Sequence, residues 1–448
     1  MSVVLGMGWR GLSGTILPGE HEVAQDWETS LPDQVVVPLY QLHAGHARCL
    51  VSPGDQVREG AIIGSPPPDG VAVHAPVPGR VLAITEITLP GNIPSQGVVI
   101  KTGGEFDILG RVPEPVDWQS LEPAELINTL VEMGVEDIRD QDRSFITRLR
   151  HMSGFQGQGA VIINFSPNEP LSKTHEQLLK TKPAALAQGC SILSKLFPRA
   201  RIHAAVPSGL GRELRSLKAE LRARGLAVKI RRVREDYPQA EPVLLTQAIL
   251  GKEFHRSVNL EQHGVFILDV PVLFGIYEAV ALRKPMIERY VTLAGDALSA
   301  SRVVKARIGT RVGDIVGDAG GVKETPARVV YGGPLRGVGM ESADTPLTKG
   351  YDSLILLTES RLFPRPGQAE PPGAEACFQC GLCALHCPMR LNPMRLYKLL
   401  DHGNPERAWR EGLHACTGCG ICSYICPADI SLTQNLIRGR DSLGERKD

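Results

Sequence analysis

The chain has no excess of either charge: Lys+Arg and Asp+Glu both number 49 in 448 residues. A balanced surface offers no broad basic field to gather nucleic acid or anionic lipid, so no nucleic-acid partner is expected. Aromatic residues are scarce at 5%, whereas Gly (47) and Pro (34) are plentiful. That balance favours short strands and turns joined by loops over a large helical bundle. The N-terminus, MSVVLGMGWRGLSG, lacks a basic patch followed by an apolar core, so no signal peptide is expected. A membrane span takes roughly 18 or more apolar residues with few charges. The most apolar stretch, residues 264–284, is interrupted by Asp269, Pro271 and Glu278 and reads as a strand followed by a helix. Membrane attachment is therefore expected only through partner subunits. Before residue 377 cysteine is nearly absent; Cys49 and Cys190 are isolated and read as ordinary buried thiols. Eight of the 10 cysteines crowd between Cys377 and Cys426, which argues for a metal or cluster site over a disulfide framework.

At this length roughly two to four domains are expected, and the fold class reads as multidomain α/β. Residues 1–32 form an N-terminal segment. Residues 33–105 alternate short apolar runs with turns and read as a compact all-β unit. The phrases SPGDQVREGAIIG and HAPVPGRV resemble the barrel-sandwich hybrids of biotinyl and lipoyl domains. Those carriers place a modifiable lysine at the hairpin tip, where this chain has His74, Ala75, Pro76 and Val77. Without the lysine there is no swinging arm, and His74 reads as a structural turn residue. Residues 120–286 alternate helical and strand patterns, including GAVIINF, RIHAAVPS and AVKIRRV, which argues for a mainly parallel, Rossmann-like α/β sheet. The Lys/Arg run from Arg212 to Arg232 is the solvated face of a helix and its neighbouring strand. Strands return over residues 287–360 and suggest a small β-rich module. Residues 361–376 are rich in Pro, Gly and small side chains and read as an extended linker.

Residues 377–434 carry the chemistry. Cys377-x-x-Cys380-x-x-Cys383-x-x-x-Cys387-Pro388 is followed by Cys416-x-x-Cys419-x-x-Cys422-x-x-x-Cys426-Pro427. This is the bacterial ferredoxin spacing, present twice, in which three thiolates of each tight loop bind one cube and the fourth ligates the other. It assigns Cys377, Cys380, Cys383 and Cys426 to one [4Fe–4S] cluster, and Cys416, Cys419, Cys422 and Cys387 to a second. Zinc sites close with four ligands from paired knuckles, so the third cysteines and both C-P steps would be surplus. Gly381, Gly418 and Gly420 fit a backbone wrapped closely around a cluster. Between the motifs, apolar residues recur at helical spacing with a turn at Gly403-Asn404-Pro405, so the module is a helical two-cluster ferredoxin domain. It is similar to the modules of fumarate reductase iron–sulfur subunits and heterodisulfide reductases.

The order of parts, with GTRVGDIVGDAGG, YGGPLRG and the segment from Phe274 to Asp296, resembles the RnfC (RsxC) family, the C component of the Rnf electron-transport complex. The resemblance covers nearly the whole chain. It implies that the β-rich module is an SLBB-like β-grasp domain, and that the protein is a peripheral subunit at the cytoplasmic face of a membrane complex. That complex moves electrons between NADH and ferredoxin, coupled to sodium or proton transport. The α/β domain would be similar to the flavin- and NADH-binding subunit of respiratory complex I, whose loop reads G-x-G-G-A-G-F-P-T and is followed by an E-C-E-P-like segment. Here residues 133–147 keep one loop glycine, Gly134, among Glu136, Asp137, Asp140 and Asp142, with Arg139 and Arg143 as partial compensation. Residues 164–170 keep Glu169 and Pro170. Phosphate cradling needs glycines for close backbone approach, so the departure argues against FMN and NADH at Gly134 and Glu169. The first expectation is an electron relay fed by a partner such as a ferredoxin, a cytochrome or a flavoprotein, with no catalytic residue of its own. The alternatives are an NADH-oxidising flavoprotein, a soluble carrier of the cobalamin-reductase or proline-reductase type, and a ligand-binding module with structural clusters.

Overall fold

The computed structural model describes residues 24–40, 45–104, 117–137, 143–340, 342–359 and 376–444. Most of the stretch expected to be a linker, residues 361–375, lies outside these, as do Arg139, Asp140 and Asp142.

The first all-β unit holds two sheets. One runs in the order Gln34–Pro38, Ile93–Thr102, Gly79–Leu89, Gln56–Val57, all antiparallel. The other pairs Arg48–Cys49, Ile62–Ser65 and Val73–His74. Val35, Val37, Val81, Val98 and Ile100 from the first meet Ile63 and Val73 from the second in one core. His74 is a buried strand residue and not a turn residue. Burial, followed by the charge of Lys349, pushes its imidazole down to about 3. Cys49 is only partly buried, because it sits on a two-residue edge strand; Cys190 is fully buried as expected.

The α/β domain is built on a parallel sheet in the order Lys229–Val233, Ala200–Pro207, Gly159–Asn164, Val265–Asp269. The strands Gly159–Asn164 and Val265–Asp269 are buried at every position because both faces are covered, whereas the edge strand Lys229–Val233 carries Lys229, Arg231 and Arg232 and is only partly buried. Val161, Ile163, Phe266 and Leu268 point into one core, while Ile162, Val265 and Ile267 point into the other. The apolar stretch from Gly264 is the strand Val265–Asp269 followed by the helix Val270–Ala281. The basic run lies on Glu213–Ala223, whose Leu214, Leu217 and Leu221 are buried while its arginines face outward.

The β-rich module is a six-stranded sheet in the order Ala24–Glu28, Arg302–Arg307, Glu288–Ala294, Ser353–Leu357, Arg328–Tyr331, Val338–Met340. Its first strand comes from the N-terminal segment and pairs in parallel with Arg302–Arg307. Within the stretch expected to be strands, Val312–Asp318 is a helix: Val312, Ile315 and Val316, spaced three and four apart, bury one face against the sheet. Lys349 joins three domains, donating to Gly134 O at 2.7 Å in the α/β domain and lying 3.5 Å from Ala72 O in the all-β unit.

The cysteine module is helical, with Leu382–Leu385, Pro393–Asp401, Pro405–Arg410, Ile421–Tyr424 and Leu432–Gly444 around Leu396, Ala408, Leu413, Ile430 and Leu436. Asn404 and Pro405 open the third of these helices immediately after Gly403, which takes a positive φ. Among the described residues no helix is long and apolar enough to cross a membrane.

Candidate iron–sulfur centres and their docking site

Cys377, Cys380, Cys383 and Cys426 line a single cavity of about 670 Å³. The first three come from one tight loop, which turns through Gln379 and Gly381, both with positive φ, into the helix Leu382–Leu385. The fourth crosses over from the second motif. Backbone amides reach the sulfurs, with Gln379 N donating to Cys377 Sγ and Leu391 N to Cys387 Sγ, each at 3.4 Å. N–H groups aimed at thiolate sulfur stabilise a bound cluster and tune its potential. Arg395, Lys398 and Arg407 share the cavity lining, and among the described residues no Asp or Glu does. This set lies near solvent, with Cys380 and Phe378 exposed.

The other four cysteines also gather across the two motifs. Cys419 lies in the electrostatic field of Cys422, Cys387 and Cys416, and Cys422 in that of Cys416 and Cys387. Cys387 and Cys422 also lie in the field of Cys383 from the first set, so the two sets adjoin. Cys387, Cys419 and Cys422 are buried. Burial pushes the Cys422 thiol up to about 12 and the Cys419 thiol higher, although Thr433 Oγ1 lies 3.3 Å from Cys422 Sγ. Metal binding requires the thiolate, so loading this set must overcome that burial. Among the described residues no three His, Cys, Asp or Glu side chains close on a single ion. Soft thiolates in two sets of four, the first of them around that cavity, fit iron–sulfur cubes.

The second set docks on the rest of the chain through Glu169. The Tyr237 hydroxyl lies 2.6 Å from Cys419 O and 3.2 Å from Glu169 Oε1. Glu169 Oε1 accepts from Arg336 Nε at 3.0 Å, and its Oε2 accepts from Leu335 N at 3.0 Å and Arg336 N at 3.3 Å. Arg336 also donates to Glu241 and to Asn168 O. Burial raises the Glu169 carboxyl above its ordinary range, against the pull of Arg336 and the loop amides. The YGGPLRG loop therefore clamps the cysteine module to the α/β domain. A Cβ on Gly333 would sit 2.3 Å from Glu169 Cβ, and one on Gly420 would sit 2.4 Å from Leu335 O. The sequence marks Glu169 for a different role, Gly420 as part of a cluster motif, and Gly333, Leu335 and Arg336 only as members of YGGPLRG, a family segment without a function; nothing local marks Tyr237.

Gly134 follows the helix Pro123–Glu132 with a positive φ of 71°, the ordinary conformation of a helix-ending glycine. Its open face is filled: a Cβ there would lie 2.6 Å from Ala72 O, 2.8 Å from Lys349 Nζ and 3.1 Å from His74 Nδ1. Gly134 and Glu169 are thus turned to separate partners, Lys349 and Arg336.

Comparison with known proteins gives three family matches: "RnfC Barrel sandwich hybrid domain" over residues 18–105, "Nuo51 FMN-binding domain" over 144–278 and "4Fe-4S dicluster domain" over 373–430. A protein of Serratia proteamaculans, named as the C component of an ion-translocating oxidoreductase complex, is 30% identical over 370 residues, covering 82% of this chain and 51% of that one. A protein of the same name from Rhodobacter capsulatus is 27% identical over 422 residues, covering 93% of this chain and 79% of its own length. The chain thus spans about half the length of the Serratia relative. An NAD+-reducing [NiFe]-hydrogenase in the air-oxidized state shares the fold at a TM-score of 0.51 and 14% identity, over 72% of this chain and 61% of the hydrogenase chain.

Proposed function

The chain belongs to the RnfC family, and on that premise we propose that it is the electron-relay subunit of a membrane-associated, ion-translocating redox complex. The observation that carries the reading is the cavity shared by Cys377, Cys380, Cys383 and Cys426, a set that no single motif contains. In this reading those four hold one [4Fe–4S] cluster, and Cys416, Cys419, Cys422 and Cys387 hold the other. Each cube, when bound, takes up and returns one electron. The protein's part is to hold the two sets side by side, so that the hop is short, and to keep one near solvent and the other against Tyr237 and Leu335. Lys398 offsets negative charge at the outer set, while Arg395 and Arg407 are both paired with Glu411. Other subunits of the complex are the partners, with a ferredoxin, cytochrome or flavoprotein as electron source or sink, and the chain sits peripherally at the cytoplasmic face of the membrane.

We read the parallel sheet as Rossmann-like, since its chain order is third, second, first, fourth. The six-stranded sheet reads as an SLBB-like β-grasp module over residues 287–360, completed by the N-terminal strand. The remaining division is 33–105, 120–286, the linker 361–376 and 377–434. The match to an FMN-binding domain favours one second reading, an NADH-oxidising flavoprotein. Anaerobically purified protein should contain about eight iron and eight sulfide per chain, as two cubes require, and should show a reversible EPR signal of interacting clusters on reduction by dithionite. Stoichiometric zinc in place of iron would end the relay reading.

A further inference from the structure

Three places in the α/β domain bear on whether the chain carries its own flavin, and each is occupied by its own side chains. The first is the N-terminus of the helix Phe145–Gly154, at the end of the segment that corresponds to a glycine-rich phosphate loop. Free N–H groups at such an end attract phosphate. Here the Phe145 amide donates to Glu136 Oε1 at 3.1 Å, and the Asp137 amide donates to the same oxygen at 3.1 Å. Ser144 Oγ caps the helix by accepting from Thr147 N at 3.1 Å. Glu136 is 1% exposed, and its Oε2 has no hydrogen-bond partner among the described residues. The nearby countercharge is Lys349, whose ammonium stands where a Cβ on Gly134 would be.

The second place is the gap between the strands Gly159–Asn164 and Val265–Asp269, where the order of the sheet reverses and open α/β sheets take ligands. Asn164 Nδ2 donates to Asp269 Oδ1 at 2.8 Å, and Asn168 Nδ2 to Asp269 Oδ2 at 2.5 Å. Asp269 is 1% exposed. The third place is Glu169, held by Arg336 and two loop amides.

We propose that the flavin seat is occupied by the protein itself, the Glu136 carboxyl standing in for a cofactor phosphate with Lys349 beside it, so that the chain holds no FMN and its electrons arrive from another subunit. The inference rests on the relay reading and sharpens it. Burial pushes Glu136 up to about 7 and Lys349 down to about 7. Protonated or not, the carboxyl keeps an oxygen to accept both amides, so the seat stays filled on either side of neutrality.

The test uses the full cluster-loaded chain under anaerobic conditions. FMN is added, its fluorescence quenching is followed, and the flavin retained after desalting is counted. NADH and dithionite titrations of the cluster absorbance run in parallel. Wild type is expected to retain no flavin and to bleach with dithionite but not with NADH. Glu136→Ala, judged folded by wild-type iron content and melting temperature, should bind FMN at least about tenfold more tightly, a difference of about 1.4 kcal/mol. Stoichiometric FMN in wild type would overturn the proposal while leaving the clusters as the electron path. A folded Glu136→Ala protein with no gain in affinity would overturn Glu136 as the occupant. Failure of dithionite to reduce any cluster would instead strike the relay reading itself.

Discussion

The two cysteine sets share one spacing and differ in nearly everything around it. The first loop, Cys377 to Cys383, lies open, with Phe378 56% exposed beside exposed Cys380. The second, Cys416 to Cys422, is pressed into the body of the protein, with Cys419 at 9% and Ile421 fully buried against Tyr237 and Leu335. Equivalent glycines show the contrast most directly. Gly381 and Gly420 each follow the second cysteine of their motif, and both have positive φ, near 73° and 83°. A Cβ on Gly381 would meet nothing within 4 Å, whereas one on Gly420 would strike Leu335 O. One glycine is needed for backbone conformation alone; the other is needed for that and for close approach of a second domain. Spacing defines the chemistry of a cluster motif, and the neighbouring domain decides which cysteine set stays open to solvent and which is buried.

The comparison is easiest to break at the crossed cysteines. If the sets are as assigned, Cys426→Ala in the second motif should remove the outer cluster and Cys387→Ala in the first should remove the inner one. Each should halve the iron, and ferricyanide should quickly bleach the cluster that remains only in Cys387→Ala. The opposite pattern would mean that each motif closes on its own cube.

The docking clamp comes next. Arg336→Ala leaves the Glu169 carboxyl buried without its ion-pair partner, a loss of about 3 kcal/mol. It should lower the melting temperature and shift the potential of the inner cluster, seen by EPR-monitored redox titration, while the outer potential stays put. Equal movement of both potentials would remove the distinction between a docked and a free set.

The smallest difference is the one that separates the paired glycines. Gly381→Ala should cost about 1 kcal/mol, the strain of a left-handed alanine. Gly420→Ala should add about 1–3 kcal/mol of overpacking against the Leu335 loop. Chemical denaturation followed by cluster absorbance measures both. Similar values would show that the Leu335 contact is soft.

Much of this was legible in the chain itself. Residues such as Val161, Ile162 and Ile163 are apolar without interruption because a parallel strand is covered on both faces, and that pattern needs no partner to be read. The helix Val312–Asp318 escaped because its seven residues sit among strand-forming neighbours and its apolar spacing shows only against the sheet. The strand Ala24–Glu28 escaped because its partner, Arg302–Arg307, lies far along the chain.

What the sequence determined by itself was the candidate ligand set, eight thiols at ferredoxin spacing, because a cube's geometry demands a local turn that short-range spacing encodes. Only the tertiary structure decided that Glu169 serves the Arg336 clamp, that Glu136 fills the helix end, and that one cysteine set faces water while the other faces Tyr237. Those outcomes depend on side chains brought together from distant segments and on their removal from water, and burial is a property of the packed molecule that no short stretch of sequence records.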